Sequence, residues 1–227
     1  MVLELGGSDP LIVMPSADLD LAARTAVTAR IQNAGQSCIC AKRMIVHADV
    51  YDAFLDRFEA GMKAVKIGDP MEQGTGMGPL SSIAQRDTVL DQVERAKAAG
   101  ATLRLGAEKI EREGAWMTPG VLTDLDPESE VAKEEIFGPV AAVYKVGDID
   151  AAIALANDVP YGLGSSVWTA DDAEIERFAR DIQSRGAVRR SEALGPWPRA
   201  RAVGHARVHE PEGGDVREGR EGRRLNP

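Results

Sequence analysis

Residues 42–70 read KRMIVHADVYDAFLDRFEAGMKAVKIGDP and carry two structural periods in succession. Lys42-Arg-Met-Ile-Val-His47 is a short run of strand length with a branched apolar centre. From Asp49 the spacing changes. Phe54, Phe58, Met62 and Val65 recur every three or four positions, which places them on one stripe of a helix. Gly68-Asp69-Pro70 stops that helix. A strand followed at once by an amphipathic helix is the repeating unit of a sheet covered by helices.

The same alternation extends in both directions. Upstream, Val2-Leu-Glu-Leu reads as the end of a buried strand before a Gly6-Gly7 turn. Ser16 or Asp18 can cap a helix running to about Asn33, with Leu19, Ala22, Ala23, Ala26 and Val27 on one face and Gly35 at its end. Downstream, a glycine-rich loop spans Gln73 to Pro79, and a long helix runs from about Ile83 to Ala99. Strands are expected at Ala101–Leu105, Thr118–Leu122, Val140–Val146 and Ser165–Trp168, and helices at Ile149–Ala156 and Asp171–Ile182. The fold class is therefore α/β with a largely parallel sheet. No internal repeat is found.

Composition narrows the function. A hydrophobic share of 44% and a charged share of 28% are those of an ordinary globular chain. The net charge of −9 argues against nucleic acid as a partner, because phosphate recognition wants a basic face. No apolar run reaches the roughly 20 residues of a membrane span, and no signal peptide is recognisable, so a cytoplasmic location is expected. The three histidines, His47, His205 and His209, are scattered and suggest no metal site.

Two positions invite a chemical reading. Cys38 ends Gly35-Gln-Ser-Cys38, a polar loop just past a helix end. It is either a small packed hydrophobe or a nucleophile, which needs a reachable loop and a nearby base or dipole. Glu4 stands in an apolar strand end beside two glycines. It is either a carboxylate facing water or a poorly solvated general base. Lys133-Glu-Glu-Ile-Phe-Gly-Pro139 is a charge pair leading into a strand, or a loop offering a carboxylate and a ring to a planar cofactor. Asn157-Asp-Val-Pro-Tyr-Gly-Leu163 reads only as a turn.

Taken together, these segments resemble the aldehyde dehydrogenase superfamily over about residues 1–184. Glu4-Leu-Gly-Gly7 is similar to its general-base motif and Gly35-Gln-Ser-Cys38 to its nucleophile motif, at the family's separation. Glu134-Glu-Ile-Phe-Gly-Pro139 is similar to its cofactor-facing motif, and 157–163 to a further recurrent segment. The resemblance implies that Cys38 and Glu4 are catalytic. It implies that Glu135 holds the nicotinamide ribose of NAD or NADP and that Phe137 contacts the nicotinamide. The substrate would be a small-molecule aldehyde. Asp9 to Asp20 and Arg30 to Val46 look most like succinate-semialdehyde dehydrogenases.

The resemblance also divides the chain. Residues 1–7 would end the dinucleotide-binding domain as a remnant strand, residues 8–184 would form the catalytic domain, and 185–227 would be an out-of-frame or disordered tail. That tail carries ten Arg and no Lys, and its large apolar residues follow no period. Read one base out of phase, with codons chosen within the degeneracy of the code, it is compatible with a Phe-Gly-Gly motif, a family-like ending and a stop. A tail that packs against nothing is expected, with loss of the strand that pairs subunits in the family's homo-oligomers. The family's dinucleotide-gripping loop has no counterpart in the 227 residues, so inactivity of the isolated chain is expected. The second reading is a non-catalytic remnant that binds no cofactor.

Overall fold

The computed structural model describes residues 6–183, together with the backbone of strands at 187–190 and 201–202. Eight strands form one sheet among these residues: β1 (Asp9–Val13), β2 (Ala41–His47), β3 (Thr102–Gly106), β4 (Gly120–Thr123), β5 (Val140–Val146), β6 (Ser166–Thr169), β7 (Ala187–Arg190) and β8 (Arg201–Ala202). Their spatial order is β3-β4-β5-β2-β1-β6-β7-β8. The six inner strands, β4 through β7 in this order, run parallel, and only the outermost pairs are antiparallel.

Helices cover both faces: α1 (Leu19–Ile31), α2 (Ala48–Lys63), α3 (Ile83–Ala98), α4 (Glu130–Lys133), α5 (Ile149–Asn157) and α6 (Asp172–Asp181). The two-residue alternation of the strands assigns each side chain to a layer. Leu11, Val13, Met44 and Val46 pack with Ala22, Ala26, Phe54, Phe58 and Met62 of α1 and α2. Ile12, Ile45 and Val167, from the other face, pack with Ala152, Ile153 and Phe178 of α5 and α6. Further along that sheet, Val89, Val93 and Ala96 of α3 meet Leu122, Ala142 and Tyr144. Burying β1 and β2 on both sides accounts for their continuous apolar runs.

The helix starts follow side-chain capping. Asp18, Ser82, Asp148 and Asp171 each accept a backbone N–H of the first turn that follows. His47 caps α2 through the Asp49 N–H, so that helix begins one residue before Asp49, and it ends at Lys63, ahead of the glycine that the sequence offers as its stop. α1 ends at Ile31, and a tight turn over Gln32–Gly35, left-handed at Asn33 and Ala34, follows it.

Two sequence expectations need correction. The stretch Asp9–Val13, to which the sequence reading gives no element, is the strand between β2 and β6 near the sheet centre. Proline normally marks an edge strand, but Pro10 sits at a register irregularity between Asp9 and Pro10, where its missing N–H is tolerated. The expectation of an unpacked tail is not met at 187–190, which pairs in parallel with β6, nor at 201–202, which pairs with β7. Val188 lies opposite Val167, so the sheet's backbone bonding continues past the point where helical periodicity stops. The rest of the tail lies outside the described residues. No helix among the described residues is long and apolar enough to cross a membrane.

Candidate active site

Four loops converge where four neighbouring parallel strands begin. Gly6–Gly7 leads toward β1, Cys38 toward β2, Phe137–Pro139 into β5 and Tyr161–Leu163 toward β6, and the strand order β5-β2-β1-β6 sets these entries side by side. The glycines measure how close the loops come. A Cβ on Gly35 would lie 2.2 Å from the Gly138 carbonyl oxygen, and one on Gly7 2.5 Å from that of Cys38. A Cβ on Gly6 would lie 2.6 Å from Glu135 Oε2 and 3.4 Å from the Tyr161 ring. All four recurrent segments therefore meet, and the glycines are what permits it. Glu4 lies outside the described residues.

The loop that carries Cys38 is held in a strained conformation. Asn33, Ala34 and Gly35 all have positive φ, at 53°, 54° and 75°. Two consecutive non-glycine residues in the left-handed region cost of order 1–3 kcal/mol each and persist only when the surroundings impose them. Several surrounding groups do so. The Arg30 guanidinium, fully buried, donates to the carbonyls of Gly35 (2.7 Å) and Ala41 (3.2 Å), the two ends of the loop. Asn33 and Gln36 exchange side-chain bonds to each other's carbonyls, and Gln36 Oε1 accepts the Ser81 N–H. The Cys40 N–H closes a tight turn onto Ser37 O at 3.1 Å. Cys38 sits half-buried in that turn, whereas Cys40 is buried.

Beneath the turn lies Lys42, whose side chain is 2% exposed. Its ammonium donates to the carbonyls of Ser37 (2.8 Å) and Cys38 (2.9 Å), with a longer bond to Cys40 (3.4 Å). It also pairs with Glu135 Oε1 at 3.0 Å. Burial and the Arg30 charge pull its pKa down, and Glu135 opposes them. Glu135 is thereby tied to the Cys38 loop from below. Its backbone carbonyl takes Gln92 Nε2 at 3.0 Å, and the preceding Glu134 is clamped by both terminal nitrogens of Arg95. The half-buried Phe137 is fixed through its carbonyl, which accepts Gln85 Nε2 at 2.9 Å.

The fourth segment is anchored at several points. Asn157 donates to Asp181 O and accepts the Gln183 N–H, joining the ends of α5 and α6. Lys133 holds Asp158. Gly164 N–H bonds Asp9 Oδ1 at 3.0 Å; burial raises the Asp9 pKa, and this bond works against it. Leu163, 40% exposed, packs toward Gly7.

Sequence reasoning singled out Cys38, Glu135 and Phe137, and the structure brings their loops together. It missed Lys42 and Arg30, which hold the loops in place. A lysine inside a run of buried strand residues was the available signal, since a buried ammonium demands acceptors.

Known proteins share this arrangement of segments. The Aldehyde dehydrogenase family model matches residues 1–191. The succinate-semialdehyde dehydrogenase [NADP(+)] of Mycolicibacterium paratuberculosis is 56% identical over 183 residues, which is 81% of this chain and 39% of that protein. A Mycobacterium tuberculosis enzyme of the same description is 54% identical over 181 residues, 80% of this chain and 40% of its own length. The crystal structure of lactaldehyde dehydrogenase from Escherichia coli superimposes with a TM-score of 0.80 at 37% identity, covering 84% of this chain and 40% of that one. The chain thus spans about two-fifths of the length of the relatives it matches. With a matching family model over most of its residues and relatives above half identity, this chain belongs to the aldehyde dehydrogenase family.

Proposed function

We infer that this chain carries the catalytic thiol of an NAD- or NADP-dependent aldehyde dehydrogenase, with succinate semialdehyde as the substrate that its relatives' names favour. The observation that carries the reading is the meeting of the Cys38 turn, the Glu135 loop and the Gly6–Gly7 segment at the entries of adjacent strands. Cys38 Sγ forms the bond to the aldehyde carbon, and the Cys38 N–H receives the oxygen as it gains charge. NAD or NADP, its nicotinamide end held by Glu135 and Phe137, would supply the hydride acceptor for that carbon, and Cys38 would then carry the acyl group as a thioester. Glu4 takes a proton from the water that cleaves the thioester and releases the acid.

Glu135 and Phe137 fit the nicotinamide end of the cofactor. The Glu135 carboxylate lies against Gly6, whose lack of a side chain leaves room for it, and its side chain is 16% exposed. Pairing of subunits through a sheet edge and oxidation of aldehyde belong in this reading to the complete enzyme. The 227 residues by themselves are read as binding aldehyde at Cys38 without oxidising it.

One experiment separates these parts. Succinate semialdehyde added to the purified chain should slow iodoacetamide labelling of Cys38 by reversible capture of the thiol, with no reduced nicotinamide formed from NAD or NADP. Labelling unaffected by aldehyde would refute the nucleophile reading. Formation of NADPH or NADH, lost on Cys38→Ala, would refute the inactivity of the isolated chain.

A further inference from the structure

The bonds that Lys42 makes fix more than the position of the loop. In a planar trans peptide the C=O and the N–H of the next residue point in opposite directions. Lys42 Nζ draws the Ser37 carbonyl to 2.8 Å, so the Cys38 N–H points away from the ammonium. It draws the Cys38 carbonyl to 2.9 Å, so the Ile39 N–H points away too. The Ser37 carbonyl is held twice, because the Cys40 N–H also bonds it at 3.1 Å. Among the described residues, neither the Cys38 nor the Ile39 N–H has a protein acceptor. Two successive amides turned to one side, with their carbonyls tied down behind them, make an anion-accepting concavity.

We propose that Lys42 is a positioning residue for the oxyanion: its ammonium, by tying down the carbonyls of Ser37 and Cys38, aims the N–H groups of Cys38 and Ile39 at the oxygen of whatever is bonded to Cys38. This rests on the reading of Cys38 as the nucleophile. The pairing with Glu135 at 3.0 Å balances the buried charge, so Lys42 acts through donor geometry more than through net field. Lysine suits the task because one ammonium presents three donors from a single point.

The test needs no cofactor. In p-nitrophenyl acetate, Cys38 attack forms a C–S bond and a tetrahedral oxyanion; collapse breaks the bond to p-nitrophenolate and leaves an acetyl thioester. Iodoacetamide alkylation of the same thiol displaces iodide and develops no oxyanion. Lys42→Met in the full chain should lower the acylation rate about ten-fold or more, a fraction of the loss seen when an oxyanion donor is removed outright, and change the alkylation rate by less than about three-fold. Lys42→Arg, which keeps donors at the same place, should recover most of the acylation rate. Equal loss of both rates would mean that Lys42 only holds the fold together, and no loss in either would mean that it does not aim the amides. Both results overturn the proposal. If the unmodified chain is alkylated but never acylated at Cys38, the nucleophile reading itself fails and this inference fails with it.

A second measurement stands whether or not Lys42→Met folds. In the unmodified chain, acetylation of Cys38 should shift the amide proton resonances of both Cys38 and Ile39 downfield. Unmoved resonances at these two amides would overturn the proposal.

Discussion

Gly35→Ala should lose roughly 3 kcal/mol or more of folding stability and most of the reactivity of Cys38. Two costs combine at this position. Its φ of +75° lies in the left-handed region, where a side chain is strained by about 1–3 kcal/mol. The added Cβ would also stand 2.2 Å from Gly138 O, 2.3 Å from Gly138 C and 2.6 Å from Pro139 N, all of them backbone atoms that cannot swing aside. Overpacking of this kind adds about 1–3 kcal/mol. Relief requires the Cys38 loop and the Phe137–Pro139 loop to move apart, which separates the thiol from the segment that carries Glu135 and Phe137. Gly74→Ala is the matched control. Its φ is +82°, but nothing lies within 4 Å of the new Cβ, so only the conformational cost of about 1–3 kcal/mol remains, without the overpacking. Urea unfolding of both variants gives the comparison, and equal losses would show that the loop contact is loose.

Arg43→Ala should cost about 3 kcal/mol through a different mechanism. The Arg43 side chain is buried and donates to Ser8 O at 2.9 Å, Leu155 O at 2.7 Å and Ala156 O at 2.9 Å. The last two are carbonyls in the last turn of α5, where a cation is favoured, and the Leu155 carbonyl also accepts the Asp158 N–H at 3.3 Å. Hydrogen bonds to a charged group contribute about 1.5–3 kcal/mol each, and the desolvation that lowers the Arg43 pKa offsets part of the sum. Truncation removes that donor from all three carbonyls and opens a cavity between β1, β2 and α5. The Asp9 carboxyl, which Arg43 helps to keep ionised, should titrate higher still. Arg43→Lys should recover part of the loss, since an ammonium reaches fewer of the three acceptors. A loss below about 1 kcal/mol on Arg43→Ala would mean that water replaces the guanidinium.

The Asp9 shift also sets a direction for pH. A carboxyl whose folded-state pKa is raised favours the fold most when protonated. That contribution is fully present below its unfolded pKa and is lost as pH rises through the folded value. Around Asp9 the fold therefore gains nothing from ionisation, and the Gly164 N–H and the nearby cations limit the cost.

What the sequence disclosed, and what it hid, follow from the range of the forces involved. Capping and periodicity are local, and so α1, α3, α5 and α6 could be placed from Asp18, Ile83, Ile149 and Asp171 with errors of a residue or two. β1 was hidden because Pro10 carries a local veto that only a tertiary irregularity lifts. α4 is a single turn too short to leave a period. Cys38, Glu135 and Phe137 could be singled out because the segments that carry them are contiguous. The roles of Lys42, Arg30 and Arg43 depend on acceptors that the fold delivers: Arg43 reaches across 112 positions to Leu155. No local pattern encodes such a partner. The strand at 187–190 was hidden for the related reason that backbone pairing to β6 asks little of its side chains.

The identity of the nucleophile is open to one decisive measurement. The purified chain is exposed to a small excess of p-nitrophenyl acetate, and the acetyl group is located by mass spectrometry of its peptides. A single acetyl thioester on Cys38, absent from Cys38→Ala and accompanied by an unmodified Cys40, is the predicted result. Acetylation at Cys40 in preference to Cys38, or only on surface lysines with both thiols intact, would contradict it.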